Sequence, residues 1–545
     1  MKSQTADDST PVRGLAARPG PSPVVSKWAW PAAASLILLV LLAPFLIVDV
    51  PAILDYPNHL ARFYILAHAN DPVLSRMYAA HWAPLPNIGM DLIGASLFRV
   101  LPVHVAGRVL LALSLVAPLA GTVLYARAAF GRWTWWSLGA GVLGFNGIFF
   151  LGFMNFLLGL GVALAGAAAW RLLRRRFGWA PTAIAGAAIA LAVYFCHLLG
   201  FAFFALLIGA QETEALLALR RDNSMRWGRV VRTAVMLVIT VGPALALYSL
   251  TRHGVPKDDL VFWRWSHKAV IWATPFLTYD LWLTLLTTAV LLLVGTEVRR
   301  RARCASGVGL TLTTLAILFA VAPFTAAGGA FLDARLSVMA AFVVFAGLDP
   351  QLPVRHARAI AAALIALGVG RSAEVAVNWR GRAQDLAELR AALAPVSPGS
   401  KVLLAMTEFR DWLREGRGRV LQGVCRLDEH LAGLVVIERR AFWPQLFADP
   451  NEQPVVVRPP YARMAEITFG EAPAWRDLAE LPPSAVGRRY PYLTNWRQRF
   501  DYVLVLGPHP LADHAPGGIS LVRAGTEASL YRIDHAAPTG APPAA

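Results

Sequence analysis

Ala33-Ala34-Ser35-Leu36-Ile37-Leu38-Leu39-Val40-Leu41-Leu42-Ala43-Pro44-Phe45-Leu46-Ile47-Val48 carries no charge, and Asp55-Tyr56-Pro57-Asn58-His59-Leu60-Ala61-Arg62 follows a few residues later. The apolar run extends over 28–48, which meets the ~20 residues needed to cross a bilayer core. It is longer than a signal-peptide core and has no evident small-residue cleavage site, so it reads as a retained anchor. The fold is therefore that of a membrane protein, and the octet stands where the first span leaves the bilayer.

The pattern repeats along the chain. Further spans are expected at 104–126, 134–150, 152–170, 180–196, 198–215, 230–250, 280–297, 307–324, 334–348 and 358–371, about eleven in all. Of 545 residues, 56% are hydrophobic, and the mean hydropathy is +0.50. Lys and Arg number 51 against 34 Asp and Glu, a net +17. In a soluble chain that excess would point to nucleic acid. Here it falls between apolar runs, at Arg127/Arg132, Arg171 to Arg176, Arg220/Arg221, Arg299 to Arg303 and Arg355/Arg358, at every second connection. That places those loops and the amino-terminal tail in the cytoplasm, with no nucleic-acid partner. An odd number of crossings puts the octet and everything after Arg371 on the extracytoplasmic side.

The expected organisation has a disordered cytoplasmic tail (1–26), a transmembrane domain (27–371) with a folded first external loop (49–103), an extracytoplasmic soluble α/β domain (372–535) and a disordered tail (536–545). The first loop holds two helical stretches, near 57–69 and 88–101, each too short to span. Residues 373–395 read as an amphipathic helix. Beyond 400, Val402–Leu404, Leu434–Ile437, Val455–Val457, Tyr502–Leu506 and Ile519–Val522 read as strands. The three cysteines, Cys196, Cys304 and Cys425, fall in separate places, which argues against disulfides. There is no CxxC, Walker, GxSxG or HExxH pattern, which argues against a P-loop pump, a serine hydrolase or a zinc protease.

If Pro57 opens a helix, residues 55, 59 and 62 share one face, so a carboxylate, an imidazole and a guanidinium converge. Such a cluster can take a proton and bind a phosphate. An acid just before a proline-initiated helix is also a good N-cap, and Asp55 has both roles open to it. His197, Asp258, Asp259, Arg264, Asp280, Asp333 and Arg335 fall at the same ends of spans, with Asp91 in the first loop. Each alone is explained by snorkelling to water; together they suggest one cavity at that membrane face. Asp333 and Arg335, two apart, do not face each other on a helix, which frees the guanidinium for an anionic ligand. His197 can bond the same group or cap its hairpin.

A first span followed by a folded external loop with an early acid, about a dozen spans, a late span opening Asp333-Ala334-Arg335 and a soluble carboxy-terminal domain resembles the GT-C glycosyltransferases. These are integral membrane enzymes that use polyprenyl-phosphate sugars. The likeness covers 28–371 in layout. It implies hexosyl or pentosyl transfer to a glycan, lipid or protein acceptor at a bacterial inner membrane, the carboxy-terminal domain being periplasmic. Asp55 would be the catalytic base or a metal-linked carboxylate, with His59 beside it, and Arg62, His197 and Arg335 would hold the lipid phosphate. This chain has Asp55-Tyr56 where many relatives carry paired acids, so the second carboxylate falls to Asp91 or Asp333, and a divalent metal is left open. The rival reading is a non-catalytic transporter or scaffold for lipid-linked glycans. Internal repeats and broken midplane helices, frequent in transporters, are not evident in the sequence.

Overall fold

The computed structural model describes residues 28–251, 261–326, 329–408, 416, 418–421, 423–467, 472–507 and 516–535. Asp258, Asp259 and both expected tails lie outside the described residues. Eight helices are long and apolar enough to cross a membrane: α1 (Ala29–Leu42, continued by a 3-10 turn to Leu46), α4 (Val103–Phe130), α7 (Met154–Arg176), α8 (Trp179–Cys196), α9 (Leu198–Arg221), α10 (Trp227–Thr251), α12 (Leu281–Arg301) and α15 (Val354–Leu393). Two more, α13 (Val308–Val321) and α14 (Leu332–Gly347), have 14 and 16 residues. The external loop supplies α2 (Tyr56–Ala67) and α3 (Gly89–Leu97), and a short helix, α11 (Trp265–Ile271), precedes α12.

The expected span at 134–150 is not one helix. It is divided into α5 (Trp135–Leu138), a 3-10 turn (Gly139–Leu143) and α6 (Gly147–Leu151). Gly139, Gly141, Gly144 and Gly147 weaken a continuous helix, and Asn146 restarts it by accepting from the Phe149 N–H at 3.1 Å. Such backbone survives at membrane depth only where protein covers it. Residues 139–151 are buried throughout, and the Arg371 guanidinium donates to the Phe145 carbonyl and, at 2.5 Å, to that of Phe276. The segment still traverses the bundle. Arg132 at its start pairs with Asp349 beyond α14 at 2.7 Å, whereas its far end abuts Asp55.

α15 is one helix of 40 residues, which unites the last expected span with the amphipathic helix expected at 373–395. Neither Pro nor a run of turn formers interrupts Arg371 to Asn378, so the helix leaves the bundle without a break. Its distal half packs on a mixed sheet of β2 (Val402–Met406), β4 (Tyr502–Leu506), β5 (Ile519–Arg523) and β6 (Ala528–Ile533) in the order β2-β4-β6-β5. β2 pairs parallel to β4, and β6 runs antiparallel to both its neighbours. β3 (Val455–Val457) instead joins the first external loop, pairing antiparallel with β1 (Tyr78–Ala80). Leu434–Ile437, expected as a strand, is helical, within α16 (Leu434–Arg439). Four successive apolar residues do not distinguish a buried strand from one buried helical turn, and here Leu434, Val435 and Val436 are buried, with α16 lying against α2.

Candidate functional site

Asp55 stands immediately before α2 with helical backbone angles (φ −81, ψ −8), and its side chain caps nothing. The capping role open in the sequence is therefore not taken up. Its backbone is held by the end of the broken segment: the Leu54 N–H donates to Phe150 O at 3.0 Å and the Asp55 N–H to Leu151 O at 3.2 Å. Gly152, at φ +87, lies so close that a Cβ there would stand 2.9 Å from both the Cβ and the nitrogen of Asp55. Only glycine combines that φ with that approach. The Asp55 carboxylate, 8% exposed, has His430 Nδ1 at 3.0 Å from Oδ1, close but not aligned as a hydrogen bond.

His59, one turn along α2, stacks on Phe63 with ring centroids 6.1 Å apart and meets the edge of Phe447. Burial holds its imidazole pKa well below the usual value; the charges of Arg62 and His430 push the same way, against a hydrogen bond to the Gly152 backbone. The ring is thus neutral near pH 7, and its Nδ1 has no partner among the described residues.

Arg62 does not join the cluster as a free cation. It forms a bidentate pair with Asp91, Nε to Oδ1 at 2.5 Å and Nη2 to Oδ2 at 3.2 Å, both side chains being almost fully buried. Burial pushes the Asp91 carboxyl up, against the pull of Arg62 and of hydrogen bonds that include Asn155. Asp333 is likewise engaged, 3.4 Å from Lys268 Nζ, and Asp280 caps α12 through the Leu283 N–H at 2.7 Å. Arg264 lies over Phe324, 4.4 Å from the ring centroid. The proposed second carboxylates are each the counter-ion of a cation. Among the described residues no three His, Cys, Asp or Glu side chains gather as a metal cage.

Arg335 is where the sequence placed an anion site. Its guanidinium lies over Phe153 (4.3 Å) and Phe156 (5.7 Å), and Nη1 is 3.3 Å from His197 Nε2. His197 sits between α8 and α9, and its Nδ1 accepts from the Leu199 N–H at 3.0 Å. An accepting Nδ1 carries no proton, so the ring proton is on Nε2. Arg335 can only donate, so two N–H donors face each other, and the buried Arg335 Nε has no partner among the described residues. A buried donor without an acceptor costs about 1–3 kcal/mol. An anionic oxygen beside them, within hydrogen-bond reach of both Nη1 and Nε2, would remove that cost.

One turn of chain, Gly152 to Phe156, ties both halves together. Gly152 bears on Asp55, Phe153 and Phe156 lie under Arg335, and the Asn155 side-chain Oδ1 accepts from the Met90 N–H of α3 at 2.8 Å. Gly159, one turn further, lets α7 approach His197, whose Cβ would stand 2.8 Å from a Cβ at that position. His430 was missed by the sequence reading. It is a lone histidine after Asp428-Glu429, with no spacing that relates it to the octet. It arrives because the Asn58 amide bonds Gln445 O and the Phe447 N–H at 2.9 Å each, folding the carboxy-terminal region onto α2.

Two cavities lie apart from this cluster. One of about 20 Å³ is lined by Arg382, Asp385, Arg419 and Asp428 among others. The other, about 190 Å³, is lined by Arg171, Arg174, Arg175, Gln211 and Glu212 at the arginine-rich face. There Glu212 already accepts from Arg174 (2.9 Å) and Trp170 (3.0 Å).

No family model and no curated protein matches the sequence. Among solved structures the chain is similar to ArnT from Cupriavidus metallidurans bound to undecaprenyl phosphate, at 13% identity over 93% of this chain and 98% of that one, with a TM-score of 0.48. It is also similar to the arabinofuranosyltransferase AftD from mycobacteria, at 14% identity over 94% of this chain, with a TM-score of 0.44. The chain spans about 40% of the length of AftD.

Proposed function

We propose that the protein transfers a sugar, hexose or pentose, from a polyprenyl-phosphate donor to the hydroxyl of a glycan, lipid or protein acceptor at the outer face of a bacterial inner membrane. The observation that carries this reading is the turn Gly152 to Phe156, which bears on the proton acceptor Asp55 at one end and, at the other, on Arg335, whose guanidinium faces His197 as a second hydrogen-bond donor for an anion. In this reading an oxygen of the lipid phosphate accepts from both Arg335 Nη1 and His197 Nε2. Asp55 takes the proton of the acceptor hydroxyl as its oxygen attacks the anomeric carbon. The bond from that carbon to the phosphate oxygen breaks, and the phosphate leaves with the electron pair.

A carboxylate is a weak base at neutral pH, so positioning and stabilisation of the departing phosphate supply most of the rate. Donors with no acceptor at rest suit that task, because they gain their partner only with the ligand in place. Arg62, with Asp91, serves to fix α2 against α3. The arginine-rich loops lie in the cytoplasm and the carboxy-terminal region in the periplasm.

Asp55→Asn is expected to abolish transfer of label from radiolabelled polyprenyl-phosphate sugars in membranes while leaving insertion intact. Turnover retained by that variant refutes the assignment. Movement of the labelled lipid across the bilayer without transfer supports a transporter instead.

A further inference from the structure

We propose that His430, contributed by the carboxy-terminal region, is the second holder of the acceptor's proton, receiving it from Asp55 during transfer. This rests on the glycosyl-transfer reading above. His430 is 8% exposed; Trp443 and Phe447 meet it edge-on at 6.1 and 4.9 Å, and its Nδ1 stands 3.0 Å from Asp55 Oδ1. That Nδ1 has no hydrogen-bond partner among the described residues. A buried ring nitrogen in contact with a carboxylate and otherwise unused has a clear chemical use. Once the carboxylate is protonated, a small rotation aligns O–H with Nδ1.

The proton balance gives the reason for a second acceptor. As the oxygen–anomeric carbon bond forms and the carbon–phosphate oxygen bond breaks, the hydroxyl proton passes to Asp55. A carboxylic acid is ordinarily about 2.5 pK units more acidic than an imidazolium. Passing the proton on to Nδ1 leaves an imidazolium beside a carboxylate, and Asp55 returns to its starting charge before the product departs. The ring then loses the proton to solvent.

His59 is the other imidazole in reach, and its surroundings oppose this role. Burial, Arg62 and His430 all disfavour its charged form. Around His430 the titratable groups are Asp55 and His59 on the α2 side, and Cys425, Asp428 and Glu429 on its own segment, with Arg426 paired to Asp428 at 2.8 Å. The carboxy-terminal region thus completes the site as well as covering it.

The test is kcat against pH for the full-length wild type and His430→Asn, with undecaprenyl phosphate carrying a radiolabelled pentose or hexose. Asn keeps a polar atom near the Nδ1 position but cannot hold a proton. The variant is expected to lose about 100-fold in kcat, to keep the donor KM and to lose the acidic limb of the profile. Wild-type kcat with the same acidic limb overturns the proposal. A merely structural role would lower the amount of folded protein and leave the shape of the profile unchanged.

A wild type that transfers no sugar refutes the functional reading, and the Asp55–His430 coupling is then read separately. Exchange of the His430 ring C2 hydrogen, followed by mass spectrometry across pH, needs no turnover and no His430 variant. Asp55→Asn is expected to move its midpoint to lower pH by about one unit. An unmoved midpoint overturns the proposal.

Discussion

Arg335 and His197 bring two N–H donors face to face, and the buried Arg335 Nε has no partner among the described residues. The Leu199 N–H fixes the imidazole tautomer, the tautomer turns Nε2 into a donor, and that donor meets a guanidinium able only to donate. Arg335→Gln keeps a donor but removes the charge and the fork. It is expected to lower kcat/KM for the lipid donor about 100-fold, read from initial rates against donor concentration, with the variant still monodisperse in detergent. An unchanged kcat/KM would mean that the phosphate is held elsewhere. At this scale the sequence was informative about residue type and poor about pairing. Asp55, His59, His197 and Arg335 stand out in the sequence as polar residues at the ends of apolar runs. That Arg62 faces Asp91 was not, because the partner sits on a different helix and i, i+7 spacing says nothing about what lies opposite.

Helices α2 and α3 are joined by that buried pair, and an ion pair of this kind is destabilised most by losing one member. Asp91→Asn is expected to cost about 3–5 kcal/mol by leaving a buried guanidinium uncompensated, read by thermal unfolding in detergent. Replacing both, Arg62→Met with Asp91→Leu, is expected to recover most of the loss, whereas equal destabilisation in single and double variants would contradict a pairing role. The elements that the sequence placed well, such as α2, α4, α8 and β4, combine a strong apolar period with a clear start or stop. Those it misplaced are locally ambiguous. The glycine-interrupted run at 134–150 is apolar enough to span yet too weak to stay one helix, and only covering protein and the Arg371 bonds make its breaks tolerable. Leu434–Ile437 is too short for its period to be read. β6 was missed because the Ala528-Ser529-Leu530-Tyr531-Arg532-Ile533 run alternates weakly, and its pairing between β4 and β5 decides its state.

For the whole molecule, the first external loop lies between the helical bundle and the carboxy-terminal region. Arg390 on α15 pairs with Asp49 at 2.6 Å, β1 pairs with β3, and Asn58 bonds to residues 445 and 447. These contacts join parts of the chain hundreds of residues apart, which no local pattern discloses. They bring Asp55 to the edge of the bundle, 8% exposed, instead of leaving it in solvent. The proposed transfer depends on that placement, in which a proton acceptor from the loop and an anion cradle from α14 and the α8–α9 junction form one site. A cryo-EM structure of the full chain with undecaprenyl phosphate bound measures it directly. The phosphate is expected within hydrogen-bond distance of both Arg335 and His197, with the Asp55 carboxylate turned toward the same space. A phosphate seated away from Arg335, or Asp55 facing bulk water on the far side of the loop, would contradict it.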